Sequence, residues 1–384
     1  MNDRASGIWR RREVRGVVPS AGRAELLDQV VEVINSAQEM VVVSSYLIDQ
    51  GAALEALRSA AQRNCRVYVV SASEEQLRLG RTYLSSEERL KVESYAALLK
   101  DLSTFAMVRS GDGIHAKAVL ALGSEQVEGD RRSRAASGLL MTANLRDGAL
   151  ERNAELAIRL DGREAWDLFE ALRYAFFVSA SHEYEDGLLR SISDAAQLSE
   201  PYLATLWLRI KSRDDVETEL ARKVDESSGE VLAMSHSWSV DHAVTQSLMK
   251  AAADPERSVT VIANTQVRSS LPHLRAMAHA GIEVLGRPNS HAKAVVTESS
   301  VCVSTANLKR FDRTPSSFDL GLEVPNSQAE HVRSIVRQWA KTAPFELDPS
   351  QHNGDLPMAE FHEPDSSRPR RRLRNFGGFR FRTG

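Results

Sequence analysis

The sequence predicts an α/β protein made of two pseudo-symmetric halves, with mostly parallel sheets flanked by helices. Three observations carry this. Strand and helix patterns alternate in the same order in both halves, each half holds one His-Ala-Lys tripeptide, and the blocks following the tripeptides match in order. Alternating strands and helices imply a sheet covered by helices, because a parallel crossover returns the chain through a helix.

Taken in order, residues 24–37 carry apolar residues at helical spacing and residues 40–46 form an apolar, strand-length run. A helix over 52–63 and a strand over 66–71 follow, and a long charged helical region leads to GIHAKAVLAL, a strand that begins at the tripeptide. In the second half the pattern predicts strands at 229–235, 259–264 and 282–285, and helices at 243–252 and 271–280. Gly281 supplies a C-cap for the second of these helices, and HAKAVV follows. Residues 185–228 read as a packed helical connector with apolar Leu203, Leu206, Leu208 and Ile210. The expected organisation is a basic segment at 1–20, a first lobe at 21–184, the connector at 185–228, a second lobe at 229–345 and a disordered arginine-rich tail at 346–384.

The 384 residues are 42% hydrophobic and 26% charged, a globular composition. Apolar runs such as 40–46 and 67–70 fall far short of the ~20 residues that cross a bilayer, so no transmembrane association is expected. Arg4, Arg10, Arg11, Arg12 and Arg15 crowd the N-terminus, but no apolar segment follows before Val17, so a secretory signal is not expected and a cytoplasmic location is. Cys65 and Cys302 sit in or beside β-branched runs and read as small buried apolar residues. A net charge of -3 argues against a generally basic nucleic-acid coat. The last stretch departs from that balance. Arg368, Arg370, Arg371, Arg372, Arg374, Arg380 and Arg382 alternate with glycine and three phenylalanines, without one acidic residue. That composition suits a disordered arm that contacts phosphates and stacks on bases, with a solvated tail as the alternative.

The matched blocks carry the chemistry. His115-Ala-Lys117 corresponds to His291-Ala-Lys293, Met141-Thr-Ala-Asn144-Leu to Ser304-Thr-Ala-Asn307-Leu, and Asn153-Ala-Glu155-Leu to Ser317-Phe-Asp319-Leu. At the start of a strand, a histidine and a lysine two apart point to one face. Two such motifs around one cavity suit a phosphodiester: Lys117 and Lys293 neutralise nonbridging oxygens, and Asn144 and Asn307 donate to them. One histidine bonds to phosphorus while the other protonates the leaving oxygen. Each imidazole must then be held in one tautomer, for which Glu155 and Asp319 are the natural carboxylates. Thr142 and Thr305 either brace this loop, touch the phosphate or face a neighbouring strand. The other histidines, among them His236 and His242, show no zinc-like spacing, so no metal or cofactor is expected. Asp241 and His242, near His236, follow a strand and read as ordinary loop residues rather than cavity lining.

These residues resemble the phospholipase D superfamily, whose signature is His-x-Lys, four residues, Asp, and a Gly-Ser-x-Asn-like segment. The resemblance runs from about residue 24 to 324 and occurs twice. It implies a two-lobed α/β sandwich of pseudo-symmetric phospholipase D-like lobes with the active site at the lobe interface, a metal-independent phosphodiesterase with a phosphohistidine intermediate, and functional pairing of His115, Lys117 and Asn144 with His291, Lys293 and Asn307. In two-lobed members the first histidine is the common nucleophile. The signature Asp is Leu122 in one half and Glu298 in the other, and Met141 or Ser304 stands where a glycine is usual. Residues 123–137 form a charged insertion, read as a surface feature with a substrate-contacting loop as the alternative. The chain is also similar to bacterial phospholipase D-like nucleases that accompany anti-phage defence systems, which implies nucleic acid, DNA above RNA, and defence-complex protein partners. The alternatives are a noncatalytic nucleic-acid-binding subunit with a decayed site, or a phospholipid phosphodiesterase. The latter usually needs a secretion signal or an exposed apolar membrane element, which the sequence does not display.

Overall fold

The computed structural model describes residues 9–11, 25–72, 86–128, 131–185, 187–193, 196–210, 212–310 and 318–348. The first part of the chain runs β1 (Trp9–Arg11), α1 (Glu25–Ser36), β2 (Met40–Ser45), α2 (Ala52–Gln62), β3 (Arg66–Ser71), α3 (Ser86–Leu102), β4 (Met107–Ser110), β5 (Ala118–Glu128), β6 (Arg131–Met141), α4 (Asp147–Arg152) and β7 (Ala157–Asp161). Helix α5 (Gly162–Tyr174), extended by a π-helical turn at Ala175–Ser179, then leads to β8 (His182–Glu185) and β9 (Leu188–Ser191). The remainder is β10 (Leu206–Ile210), β11 (Arg213–Asp214), α6 (Asp215–Glu226), β12 (Glu230–Ser235), α7 (Ala243–Ala252), β13 (Ser258–Asn264), α8 (Leu271–His279), β14 (Glu283–Arg287), β15 (Ala294–Val296), β16 (Val301–Ser304), β17 (Asp319–Glu323), α9 (Asn326–Lys341) and β18 (Phe345–Leu347).

These elements form two sheets flanked by helices. One has the order β7-β6-β5-β2-β3-β4-β8-β9, the other β1-β18-β14-β13-β12-β15-β16-β17-β10-β11. Reading outward from β2 and from β12 gives the same sequence of strands on both sides, so the repeat in the sequence is a repeat in topology. The expectation of mostly parallel sheets is corrected. Among the described strands only β2-β3-β4 and β12-β13-β14 pair in parallel; the other strand pairings are antiparallel. The parallel neighbours are joined by crossovers through α2, α3, α7 and α8, whereas pairs such as β5-β6 and β15-β16 follow one another directly, which favours antiparallel neighbours.

The predicted helical connector is also corrected. Residues Leu206–Ile210 form a strand, β10, paired antiparallel with β17, and the one α-helix among the described residues of 185–228 is α6. Leu206, Leu208 and Ile210 are spaced by two, and with Leu203 included the run also fits helical spacing; strand pairing decided between them. Strands β8 and β9 extend the first sheet. Near the N-terminus, β1 joins the second sheet beside β18.

Burial follows the pleat. Along β2, Val41 and Val43 pack under the outer helices, while Val42 faces the other sheet. Helix α1 buries Leu27, Val30, Val33 and Ile34 on one face, the three-and-four spacing of an amphipathic helix. A third core lies under α6, α7 and α8. Between the sheets runs one continuous core that joins both lobes, including Ile114, Ala116, Leu156 and Leu168 from the first and Met234, Ala292, Phe318 and Val336 from the second. Gln328 of α9 caps the outer edge of β7 by bonding the backbone of Arg159 twice, at 3.1 and 2.8 Å.

The charged insertion lengthens β5 and β6 into a hairpin. Because β5 begins just after the His115 motif and runs away from it for 11 residues, its last residue, Glu128, lies roughly 33 Å along the strand from its start at ~3.3 Å per residue. Among the described residues no helix is long and apolar enough to cross a membrane.

A core shared by two lobes should make them unfold together. Phe318→Ala, which empties a buried position at their junction, is expected to cost about 3–5 kcal/mol and to leave one cooperative urea transition; two separated transitions would contradict the shared core.

Candidate active site

Both motifs are coil segments immediately before a strand, β5 and β15, and each is stitched to the opposite lobe through its backbone. His115 N and Ala116 N donate to Phe318 O, at 3.0 and 2.7 Å, and Phe318 N donates to Gly113 O at 2.6 Å. In the other half His291 N and Ala292 N donate to Ala154 O, at 3.1 and 2.8 Å, and Ala154 N donates to Asn289 O at 3.0 Å. Gly113 and Asn289 both adopt positive φ, 79° and 58°. That left-handed turn two residues before each histidine points the carbonyl at the other lobe, and glycine or asparagine tolerates it best.

The side chains cross over in the same way. His115 Nδ1 lies 2.8 Å from Asp319 Oδ1, and His291 Nδ1 lies 2.7 Å from Glu155 Oε1. Each imidazole is therefore held by the carboxylate of the other lobe, and with Nδ1 donating, Nε2 is left as the bare nitrogen. Thr142 Oγ1 donates to Glu155 Oε2 at 2.6 Å and Thr305 Oγ1 to Asp319 Oδ1 at 2.8 Å. Both threonines are buried and also accept a backbone N–H, from Leu156 and Leu320. Of the roles open to them in the sequence, the structure places them as braces of the carboxylates.

Lys117 and Lys293 are fully buried, at 0% and 1% exposure. Lys117 Nζ donates to the His115 carbonyl; Lys293 Nζ donates to the His291 carbonyl at 2.6 Å and lies 3.2 Å from His291 Nε2. Burial and the charge of Lys293 push Lys117 well below the usual lysine range, and burial brings Lys293 down to about 8 against the pull of Glu155 and Asp319. Burial, then Lys117, lowers His115 to about 4, while Asp319 opposes the shift. Burial and Lys293 likewise lower His291 against Glu155. For the carboxylates burial acts upward, but His115, Arg209 and Lys117 hold Asp319 far below the usual range, and His291 and Lys293 hold Glu155 down. The crosswise imidazole–carboxylate pairs, with each lysine bonded to the carbonyl of its own motif histidine, bring these six groups to the lobe junction. Asn144 and Asn307 stand two residues past the threonines, each with a buried Oδ1 that has no hydrogen-bond partner among the described residues.

Several neighbours escaped the sequence reading. Arg209 faces Asp319 across the β10–β17 pairing. Tyr46 meets His115 edge-on with ring centroids 5.6 Å apart, and His236 lies against His291 at 4.8 Å. Tyr46 and His236 each follow the last serine of a central strand, so aligning the two halves one block earlier would have exposed both. Asp241 and His242 remain ordinary: Asp241 accepts from Ser239 at 2.6 Å, and His242 is buried near Glu217 at the start of α7. Both cysteines are buried, as expected of small core residues. Glu298, at the signature Asp position, accepts from Ser228 N and Oγ at 2.6 and 3.1 Å beyond the far end of β15. Leu122, its counterpart, is buried and offers its carbonyl to Gln38 and Glu39 instead. Leu122 and Glu298 thus make their bonds away from the imidazoles, whereas Met141 N and Ser304 N, at the usual glycine position, donate to Lys117 O at 2.8 Å and to Lys293 O at 3.1 Å. Ser317 and the tail arginines, Arg368, Arg370, Arg371, Arg372, Arg374, Arg380 and Arg382, lie outside the described residues.

Comparison with known proteins agrees with this architecture. Residues 30–173 match the family model described as cardiolipin synthase, PLD-like domain. No curated protein matches the chain. Phosphatidylserine synthase from Haemophilus influenzae Rd KW20 aligns over 97% of this chain and 95% of its own, at 10% identity and a TM-score of 0.58. Polyphosphate kinase from Porphyromonas gingivalis aligns over 93% of this chain at 16% identity and a TM-score of 0.53, and the chain spans 54% of that kinase's length. Nuc, a phospholipase D family member from Salmonella typhimurium, aligns over 36% of this chain and 95% of its own at 11% identity, with a TM-score of 0.29 too low to weigh. The first lobe thus resembles a phospholipase D-like domain, and both long alignments share the fold of the whole described chain.

The lowered His115 sets a pH dependence. An unfolded chain takes up this proton near pH 6.5, whereas the folded site refuses it until about pH 4, so the unfolded state binds more protons in between and stability falls as pH drops through that window. The urea midpoint is expected to decline from pH 6.5 to 4, and to decline less in His115→Gln; an equal decline would remove His115 as a cause.

Proposed function

We propose that the chain is a phosphodiesterase that forms a phosphohistidine intermediate without a metal, and that its substrate is DNA. One observation carries the reading: two imidazoles, each oriented by a buried carboxylate of the opposite lobe, border two buried lysines. Before substrate binds, both imidazoles are neutral with Nε2 bare, and the negative charge of an arriving phosphodiester draws a proton onto His291 Nε2 as the ester binds. Its oxygens draw Lys117 and Lys293 towards their charged forms and supply what burial withholds. As negative charge gathers on the nonbridging oxygens, the lysines are already in place and need no reorganisation.

In this mechanism His115 Nε2 attacks phosphorus. His291, protonated at Nε2, gives that proton to the leaving oxygen as its bond to phosphorus breaks. Water then attacks the phosphohistidine, His291 takes the water proton, and His115 leaves as a neutral imidazole. The assignment of His115 as nucleophile is supported by Asp319, which His115 itself, then Arg209 and Lys117, hold ionised; Arg209, also paired with Asp214 at 2.9 Å, comes from β10 next to β17, whereas Glu155 lies beside the edge strand β7. An ionised Asp319 keeps the His115 proton on Nδ1 and the lone pair on Nε2.

DNA is favoured by the arginines of the tail and of the N-terminal segment, with phosphate contacts giving sequence-independent binding. A cytoplasmic nuclease acting with defence-complex partners is the biological setting this reading prefers. The phospholipid reading keeps one specific support: the matching family model and one fold neighbour are named for cardiolipin synthase and phosphatidylserine synthase. The noncatalytic reading is weakened because both imidazole–carboxylate pairs and both lysines are intact.

Supercoiled plasmid incubated with the protein in EDTA is expected to be nicked or linearised, with the rate lowered at least ~1,000-fold in His291→Ala. Cleavage only with added magnesium would overturn the mechanism, and headgroup release from phospholipid vesicles without plasmid cleavage would transfer the reading to lipid. Label trapped from a phosphorus-labelled substrate should survive alkali and be lost in acid, as a phosphorus–nitrogen bond requires; acid-stable label would exclude a histidine nucleophile.

A further inference from the structure

The two lobes end their central strands with the same turn. Ser45 Oγ donates to Leu47 O at 2.6 Å and accepts from Leu145 N at 2.9 Å; Ser235 Oγ donates to Ser237 O at 2.9 Å and accepts from Leu308 N at 3.0 Å. The next residue nevertheless differs, Tyr46 in one lobe and His236 in the other. A second difference accompanies it. Ser45 pairs with Ser71 and Ser235 with Ala263 in parallel register, so Ala72 and Asn264 occupy equivalent places on the neighbouring strands.

Asn264 is buried, and two backbone groups set its amide: Oδ1 accepts from Gln266 N at 2.8 Å, and Nδ2 donates to Ser290 O at 2.9 Å. The same Nδ2 lies 3.3 Å from His236 Nδ1. With the amide so oriented, Nδ1 is the acceptor, and the single ring proton of a neutral His236 sits on Nε2. Burial, with the charges of His291 and Lys293, brings His236 down to about 3, against the Ser290 carbonyl and Glu155, so the ring is neutral at pH 7. Its centroid is 4.8 Å from that of His291, the imidazole assigned above to proton transfer. The pairing of histidine with asparagine in one lobe, and tyrosine with alanine in the other, marks a hydrogen-bonded device rather than a packing variant.

We propose that His236 is a third functional imidazole of this site, a neutral donor fixed by Asn264 that hydrogen-bonds through Nε2 to the phosphoryl group on the His291 side. The proposal rests on the phosphodiesterase reading and deepens it. Two buried lysines already repel each other here, so a further donor without charge stabilises a gathering oxyanion while adding no cation. The two sides then present different groups, an imidazole N–H beside His291 and a tyrosine beside His115, which makes a pseudo-symmetric cavity accept the ester in one orientation.

Two measurements on the full chain test it. Nitrogen-15 imidazole spectra at pH 7 should show His236 as the Nε2–H tautomer, shifting on addition of inorganic phosphate, with the tautomer lost in Asn264→Ala; an Nδ1–H ring, or no response to phosphate, would overturn the proposal. With bis(p-nitrophenyl) phosphate, His236→Phe should lower kcat about 100-fold while KM stays within about threefold. His236→Gln, which keeps an N–H donor, should regain about tenfold. Equal losses in Phe and Gln variants, together with a matching fall in Tm, would make the residue a prop and not a donor. If His115→Ala hydrolyses the ester as fast as the unaltered chain, the phosphodiesterase reading fails on its own, and the phosphate response of His236 decides whether it contacts phosphoryl oxygens.

Discussion

The structure depends on an exchange of partners across the lobe junction. His115 is held by Asp319, His291 by Glu155, and the backbone on each side is bonded to the strand that delivers the carboxylate. Neither lobe alone contains a complete imidazole–carboxylate pair. Burying lysines and carboxylates costs heavily unless they are paired, and removing one partner of a buried pair typically costs about 3–5 kcal/mol. The shared core between the sheets supplies the apolar burial that offsets this cost, and it does so at the same junction where the charges meet.

The crossover also explains why the motif histidines need coil and not strand geometry. A residue at positive φ, Gly113 or Asn289, turns the chain so that its carbonyl and the following amides reach the other lobe; only then do β5 and β15 begin. The coil before each strand buries Ala116 and Ala292 in the core, between the histidine and lysine of each motif. Threonines two residues short of Asn144 and Asn307 then fix the carboxylates from behind.

Symmetry stops at the periphery, and the exceptions are chemical. Strand β10 lies beside β17 and delivers Arg209 opposite Asp319, whereas β7 ends its sheet and is capped by Gln328. Tyr46 and Ala72 stand where His236 and Asn264 stand in the other lobe. These neighbours make the surroundings of the two imidazoles unequal.

Much of this was legible in the chain itself. The repeat, the helices over residues 25–36 and 52–62, the central strands, and the paired histidines, lysines and carboxylates of the junction follow from local periodicity and from three matched blocks, because those signals depend on residues near one another in sequence. Strand direction, the reading of Leu206 to Ile210 as strand, the β5–β6 hairpin and the crosswise choice of carboxylate were decided only by tertiary structure. Each of these turns on which surface meets which over separations such as the 204 residues between His115 and Asp319. Spacing along the chain holds no record of such a meeting, since a carboxylate in either lobe satisfies an imidazole equally well until packing brings one of them within reach.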